Sequence, residues 1–153
     1  RMYLNNPIPN LRIQDIDFAD SDGFGAPNTN ADIVLGATGF TEAIITGNKL
    51  KDQWAIVLPE NATSGIVKDN TGYATKANGT VTISSGSTSA TVTHGLAHAP
   101  TAATVKLWLT SAKNGSTELY ASAIGASTFQ VNIGTSPSSD VVVGWEASTP
   151  LGA

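Results

Sequence analysis

The chain of 153 residues is 41% hydrophobic but only 13% charged, and its formal net charge is −4 at pH 7. Its 8 basic residues are scattered singly and it contains no cysteine, which excludes a basic surface for nucleic acid, a disulfide framework and a thiolate metal site. No apolar run approaches the roughly 20 residues of a membrane span, so we expect no membrane insertion. The chain opens on Arg1 rather than an initiator methionine, from which we expect a fragment or a processed product of a longer protein.

The first half of the chain contains a repeat. One series of similar apolar segments begins at residues 11, 43 and 65, and a second series begins at residues 31 and 54. Both series share a period of about 22 to 23 residues, with a step of about 32 where a loop rich in Gly, Pro and Asn is added. The segments are LRIQDIDF, AIITGNKL and GIVKDNTG in the first series, and ADIVLG and WAIVLP in the second.

This period, with short β-branched segments and no helical spacing between them, is typical of a coiled parallel β-structure. Successive coils stack about 4.8 Å apart, so equivalent positions form ladders. Asn48 then lies over Asn70, and the two are expected to form an amide ladder. An ordinary antiparallel sheet with coincidental spacing is the alternative. Since only about three coils are present, we expect the end of a longer helix, with its open end capped by the residues that follow.

The pattern changes near residue 78, and from residue 80 apolar and polar residues alternate, as in half-buried antiparallel strands. Clusters of Gly, Ser, Pro and Asn separate the strands, and residues 70–79 are interpreted as a junction. The pattern predicts two domains, 1–77 and 78–153, of which the second is a small sandwich or open barrel. The predicted strands are 80–84, 90–95, 103–111, 118–125, 128–134 and 140–148.

Four segments carry a resemblance to a known group of proteins. They are IVKDNTGY (66–73), TISSGSTSATVTHGLAHAPT (82–101), STELYASAIGASTFQVNIG (116–134) and DVVVGWEA (140–147). The first resembles the last coil of a right-handed parallel β-helix. The others resemble the small C-terminal β-sandwich that recurs in phage tailspikes, tail appendages and some pectate-lyase-like β-helix proteins. The resemblance implies an all-β fold, a homotrimer, a location on the virion tail outside the cell, and recognition of host-surface polysaccharide.

Residue parity along the predicted strands indicates which aromatic side chains face outward. If Leu107 and its alternate neighbours face the core, Trp108 faces outward beside Lys106, and Tyr120 does so beside Glu118. Two large rings on a surface of Ser, Thr and Ala leave two explanations open. The rings stack on a sugar, or they are buried against a neighbouring subunit. Trp145 shares parity with the apolar positions of its strand and is expected in the core.

The two histidines are candidates for chemistry that we set aside. His94 shares a face with Val92, so it is expected to point inward as a neutral imidazole that donates one hydrogen bond to a carbonyl. His98 follows four residues later, but Gly95 and Pro100 argue against the helix on which such a pair would bind a metal. We therefore expect no metal site and no cofactor.

Carboxylates are the remaining catalytic candidates. On a coil, Asp15 aligns with Gly47 and Asp69, so two acids stand about two rungs apart, which suits the pair that a polysaccharide hydrolase requires. Asp17 lies in the same acidic stretch. The signal is weak, and no catalytic residue is assigned. The nearby Asp20-Ser-Asp-Gly sequence fits a solvated turn or a weak calcium site.

Three hypotheses for the function follow. The first is the end of a trimeric phage spike, which caps the β-helix, drives trimerisation and contacts host polysaccharide. The second is the C-terminal fragment of a polysaccharide depolymerase, a hydrolase or lyase whose catalytic groove lies mostly upstream. The third is a folding module that mainly sets the register of the trimer. Whether the parent protein is an enzyme stays open, and we expect no activity in this fragment.

Overall fold

The computed structural model describes residues 2–4, 11–17, 33–35, 43–50, 56–57 and 65–150. Within these ranges the secondary structure is twelve β-strands and one short 3-10 helix, Ala102–Thr104. The predicted all-β class is therefore confirmed. The chain divides into two compact units, Arg1–Thr75 and Lys76–Leu151.

Among its described residues, the first unit has six short strands that alternate between two parallel sheets. One sheet has the order β1-β3-β5 and the other β2-β4-β6, so each repeat of the sequence contributes one strand to each sheet. The parallel pairing rules out the antiparallel alternative for these segments. The strands are β1 (Met2–Leu4), β2 (Arg12–Gln14), β3 (Ile33–Leu35), β4 (Ile44–Thr46), β5 (Ile56–Val57) and β6 (Ile66–Lys68).

The register of these strands agrees with the sequence repeat. Ile13 pairs with Ile45, which pairs with Val67, and all three side chains are buried between exposed or half-buried neighbours. The prediction for this series is confirmed, as is the pairing of Ile33 with Ile56 in the other sheet. Strand β1 was missed because Met-Tyr-Leu lacks the β-branched residues by which the other segments were recognised.

Asn48 and Asn70 form the predicted amide ladder. Asn48 Nδ2 donates to Asn70 Oδ1 at 2.9 Å and to the carbonyl oxygen of Ile13 at 3.0 Å, while its Oδ1 accepts from the backbone N–H of Ile16 at 3.0 Å. Asn70 repeats the pattern one rung further along by donating to the carbonyl oxygen of Ile45 at 2.9 Å. Both side chains are buried, so the hydrogen bonds satisfy polar groups that would otherwise destabilise the interior.

The residue directly after each of strands β2, β4 and β6 turns the chain in a left-handed backbone conformation. Its φ is 56° at Asp15, 69° at Gly47 and 56° at Asp69, so three successive rungs share one corner geometry. Aspartate tolerates this region better than most residues, and glycine adopts it freely. An added Cβ at position 47 would lie 2.5 Å from Asp15 Oδ1, so a side chain there would displace the exposed Asp15 carboxylate.

We expect Asn48→Ala to lower the free energy of unfolding by about 2–4 kcal/mol. The substitution removes three side-chain hydrogen bonds and leaves their partners, Ile13, Ile16 and Asn70, without these bonds. Urea unfolding followed by circular dichroism measures the change. Gln14→Ala is the matched control, since it removes an exposed inter-rung hydrogen bond to Thr46 and should cost no more than about 0.5 kcal/mol. Equal effects of the two substitutions would contradict a structural role for the ladder.

Burial raises the pKa of Tyr73 above its ordinary value. The fold therefore favours the neutral phenol, and this contribution is complete below about pH 10 and is lost as the pH rises further. Above about pH 10 we expect the free energy of unfolding to fall more steeply with pH in the unsubstituted protein than in Tyr73→Phe. The difference between the two slopes should be at most about 1.4 kcal/mol per pH unit. Tyr120→Phe, which alters an exposed tyrosine, is the control variant in the same urea series.

The second unit contains six strands in two antiparallel sheets, with the orders β7-β12-β9 and β10-β11-β8. Each predicted strand is present, although the bounds differ. Residues 76–79, which were assigned to a junction, instead open strand β7, and this assignment was wrong because Ala-Asn-Gly is a poor strand sequence. The strands are β7 (Lys76–Ile83), β8 (Ser89–Thr93), β9 (Val105–Leu109), β10 (Tyr120–Ser122), β11 (Thr128–Asn132) and β12 (Val141–Ser148).

Both antiparallel sheets contribute to one hydrophobic core. Phe129 and Val131 of β11 pack in the same cluster as Val143 and Trp145 of β12, and the rings of Phe129 and Trp145 meet edge to face at 5.6 Å. Since the inner residues of the two sheets share this core, their outer faces point away from each other. The outer faces are therefore two separate surfaces.

Candidate functional site

Trp108 lies on the outer face of the β7-β12-β9 sheet. Its side chain is 46% exposed, whereas Leu107 and Leu109 on either side pack against the core. The facing predicted for this strand is confirmed. The exposed indole presents an apolar ring with a polar N–H, which is a surface that a ligand or a partner can contact.

Gly144 positions the indole. Trp108 pairs with Gly144 across the β9–β12 ladder, and the Nε1–Cε2–Cζ2 edge of the ring occupies the space that a side chain at position 144 would take, with Cζ2 only 2.7 Å from an added Cβ. The indole therefore leans from β9 across β12 and buries Gly144. Thr80 of β7 lies on the far side of this glycine, as the third residue of the same cross-strand row.

A second tryptophan and glycine pair lies on the inner face of the same sheet. Trp145 pairs with Gly79, and its indole atoms lie 3.0–3.2 Å from the position of an added Cβ there. Trp145 is buried in the core, as predicted. Gly144 and Trp145 are consecutive residues of β12, so they face opposite sides of the sheet. The Trp145 ring therefore lies in the interior and the Trp108 ring lies outside.

The neighbouring cross-strand row is polar and charged. Lys106 pairs with Glu146, which pairs with Asn78, and Lys106 Nζ lies 3.1 Å from Glu146 Oε1. Both charged side chains are largely exposed, so this ion pair contributes little to stability. Sequence reasoning missed Glu146 and Asn78 because their proximity to Trp108 depends on strand pairing, although Glu146 shares parity with Gly144.

We call this surface the tryptophan face. It combines one aromatic ring with hydroxyl, amide, ammonium and carboxylate groups on adjacent rows. Such a set can stack against a flat apolar surface and form hydrogen bonds at its rim. Its residues are Trp108, Gly144, Thr80, Lys106, Glu146 and Asn78.

Tyr120 is not part of the tryptophan face. It belongs to the β10-β11-β8 sheet, is 50% exposed and stands opposite Asn132 on the other outer surface. Asn132 Nδ2 donates to Ser122 Oγ at 2.8 Å and to the carbonyl oxygen of Gln130 at 3.3 Å, so the amide next to the ring is already engaged. The structure therefore separates the two exposed aromatics that the sequence singled out together.

Glu118 lies outside the strand predicted for it. Strand β10 is shorter than expected, and Glu118 precedes it in a left-handed conformation with φ of 52°. Its carboxylate stands against Gly134, where an added Cβ would lie 3.0 Å from Oε2. Glu118 is thus a loop residue, in contrast to Lys106, which belongs to the tryptophan face.

His94 is part of the core framework. It is buried, its ring stacks on Phe129 at 6.3 Å, Nδ1 accepts from the backbone N–H of Leu96 at 3.0 Å, and Nε2 lies 3.2 Å from the carbonyl oxygen of Gly125. These contacts fit the neutral imidazole with its hydrogen on Nε2. The structural interpretation of His94 is confirmed. His98 is exposed, and no group of three His, Asp or Glu that could hold a metal ion occurs among the described residues.

The three acidic candidates lie near one corner of the parallel sheets. Asp15 and Asp69 are exposed and occupy the same corner position on either side of Gly47. Asp17 instead lies two residues further along the chain, where its Oδ2 is 3.1 Å from Lys49 Nζ. The structure thus aligns Asp15 with Asp69 and ties Asp17 to a lysine. The predicted turn at residues 20–23 lies outside the described residues.

Comparison with family models, with curated proteins and with solved structures finds no match for this chain. In the portion that the structure describes, no helix has the length and apolar character needed to cross a membrane.

We expect Gly144→Ala to displace the indole of Trp108 and to lower the free energy of unfolding by about 1–3 kcal/mol, because the new methyl group overlaps the ring. In a Trp108→Ala background the same substitution should cost much less, and the difference is the coupling between the two positions. Gly125→Ala is the matched control, since the nearest atom to an added Cβ there is 3.6 Å away. Additive effects at positions 108 and 144 in urea unfolding would contradict the contact.

Proposed function

We propose that this chain is the structural and receptor-binding part of a trimeric phage tailspike or tail appendage. In this proposal residues 1–77 are the last coils of a right-handed parallel β-helix, and residues 78–153 form a small β-sandwich that drives trimerisation and contacts host-surface polysaccharide. The protein would then act at the tail of the virion, outside the host cell.

Two features of the first unit support the β-helix. Successive strands alternate between two parallel sheets, and equivalent positions stack in register across three rungs. The ladder from Asn48 to Asn70 adds hydrogen bonds between rungs inside the stack. Connections between parallel strands of one sheet are right-handed in nearly all proteins, which favours the proposed hand.

The observation that carries the glycan-binding part is the exposed indole of Trp108 seated on Gly144 beside an ion pair. The C–H face of a sugar stacks on such a ring, while hydroxyl groups at the rim bond to the polar row formed with Lys106 and Glu146. The two elements of the site are held on paired strands rather than on loops, so the geometry is set before a ligand arrives.

Trimerisation is supported by a kinetic argument. Parallel strands pair residues that are far apart in sequence, and such pairing is slow. A domain that holds three chains together raises the effective concentration of the segments that must meet. Tyr120 provides a second exposed aromatic on the opposite outer face, where a neighbouring subunit could cover it.

Mass measurement in solution and binding to host capsular polysaccharide test the proposal together. We expect the unsubstituted protein to be a trimer that binds the polysaccharide. Trp108→Ala should remain a trimer with an affinity reduced about tenfold or more. Tyr120→Ala should retain the affinity per chain. If the unsubstituted protein is a monomer, the trimeric-spike proposal is wrong. Dissociation of Trp108→Ala into monomers would assign the tryptophan face to the subunit interface instead.

The depolymerase hypothesis is favoured by one observation, the alignment of Asp15 and Asp69 on one corner. Reducing ends released from the polysaccharide in the same incubations would support hydrolysis. Their loss in Asp15→Asn, with trimer and binding intact, would place the chemistry on this chain.

A further inference from the structure

We propose that the tryptophan face binds an uncharged glycan, a chain of neutral pyranose residues, and that it selects against acidic polysaccharide. This inference rests on the proposed function and narrows it to a ligand class. It depends on three properties of the face: the position of the Trp108 ring, neutral polar side chains that make no hydrogen bond within the described part of the protein, and a positive charge paired with a negative one.

The ring provides a rigid stacking surface. One edge of the Trp108 indole lies over Gly144, so the backbone of β12 limits the movement of the ring toward the sheet. Little side-chain freedom is therefore lost on binding, which favours affinity from a single aromatic contact. The exposed side of the indole is left for the C–H face of a pyranose, which carries no charge.

Neutral hydrogen-bonding groups stand beside the ring. Thr80 lies in the same cross-strand row as Trp108, and Asn78 lies in the next row. Within the part of the chain that the structure describes, neither side chain makes a hydrogen bond. A hydroxyl and an amide both donate and accept, as sugar hydroxyl groups do, so these two residues match the rim of a neutral sugar.

The charges of the face balance each other. Lys106 is paired with Glu146, so the cation that an acidic sugar would seek already has a carboxylate at 3.1 Å. A sugar carboxylate placed there would meet Glu146, and like charges brought together reduce affinity for the wrong ligand. The nearest other charge on this outer face is Lys76, one row beyond Asn78 at the start of β7. Lys76 therefore provides a test of the charge argument.

A second copy of the chain fits this face less well than a sugar. The cores of protein interfaces are apolar and depleted of charged residues. Here a single apolar ring is surrounded by threonine, asparagine, lysine and glutamate, so the centre of this face lacks the apolar, charge-depleted character of an interface core.

The test measures binding of the full chain to immobilised neutral polysaccharides (dextran, mannan and galactomannan) and acidic ones (polygalacturonate and polysialic acid), each at about 50 and 500 mM salt. We expect binding to at least one neutral polymer, changed less than about twofold by salt. Trp108→Ala should weaken it about tenfold or more, Trp108→Phe less, and the double substitution Asn78→Ala with Thr80→Ala about fivefold or more.

Lys76→Ala is the control and should leave binding to the neutral polymer unchanged, and Tyr120→Ala should leave the affinity per chain unchanged. Binding to acidic polymers alone, with loss at high salt or in Lys76→Ala, would overturn the neutral-glycan inference and leave the proposed function standing. Failure to bind any polymer, including host capsular polysaccharide, would overturn both. A trimer that falls apart in both Trp108 variants would assign the face to a second copy and overturn the inference.

Discussion

The register of β12 against its two neighbours is the constraint on which the antiparallel unit depends. It places Gly144 opposite Trp108 and Trp145 opposite Gly79, so each indole covers a glycine on one side of the sheet. A shift of one residue in the register of β12 would move its inward-facing side chains to the outer face of the sheet. Each indole would then lie against a side chain instead of a glycine. The same pairing that fills the core therefore also sets the position of the exposed ring.

In the parallel unit a buried amide has the corresponding role. Asn48 reaches both neighbouring rungs through hydrogen bonds, and each partner lies at a position defined by the repeat. The contacts among Ile13, Ile45 and Val67 are apolar and have no direction of their own. A buried asparagine would lose its partners if the register shifted, so the ladder specifies which register is formed.

Much of this architecture could be predicted from the sequence because it rests on local periodicity. The stacking of Ile13, Ile45 and Val67 follows from the repeat, and the outward direction of Trp108 follows from alternation. The composition of the tryptophan face could not be predicted. Glu146 and Asn78 are brought beside Lys106 by strand pairings that join residues about 40 to 70 positions apart, and no local pattern encodes those pairings. The one local clue was Gly144, a glycine inside an otherwise apolar strand.

The alternation of β7, β9 and β12 has an evolutionary consequence. Residues that face outward, such as Thr80, Asn78 and Lys106, contribute nothing to the core, while their immediate neighbours in the chain do. Substitutions at the outward positions can alter what the surface recognises without a penalty in folding. Variants of this unit could therefore diverge in preference while the scaffold stays constant, provided that position 144 remains glycine wherever position 108 remains tryptophan.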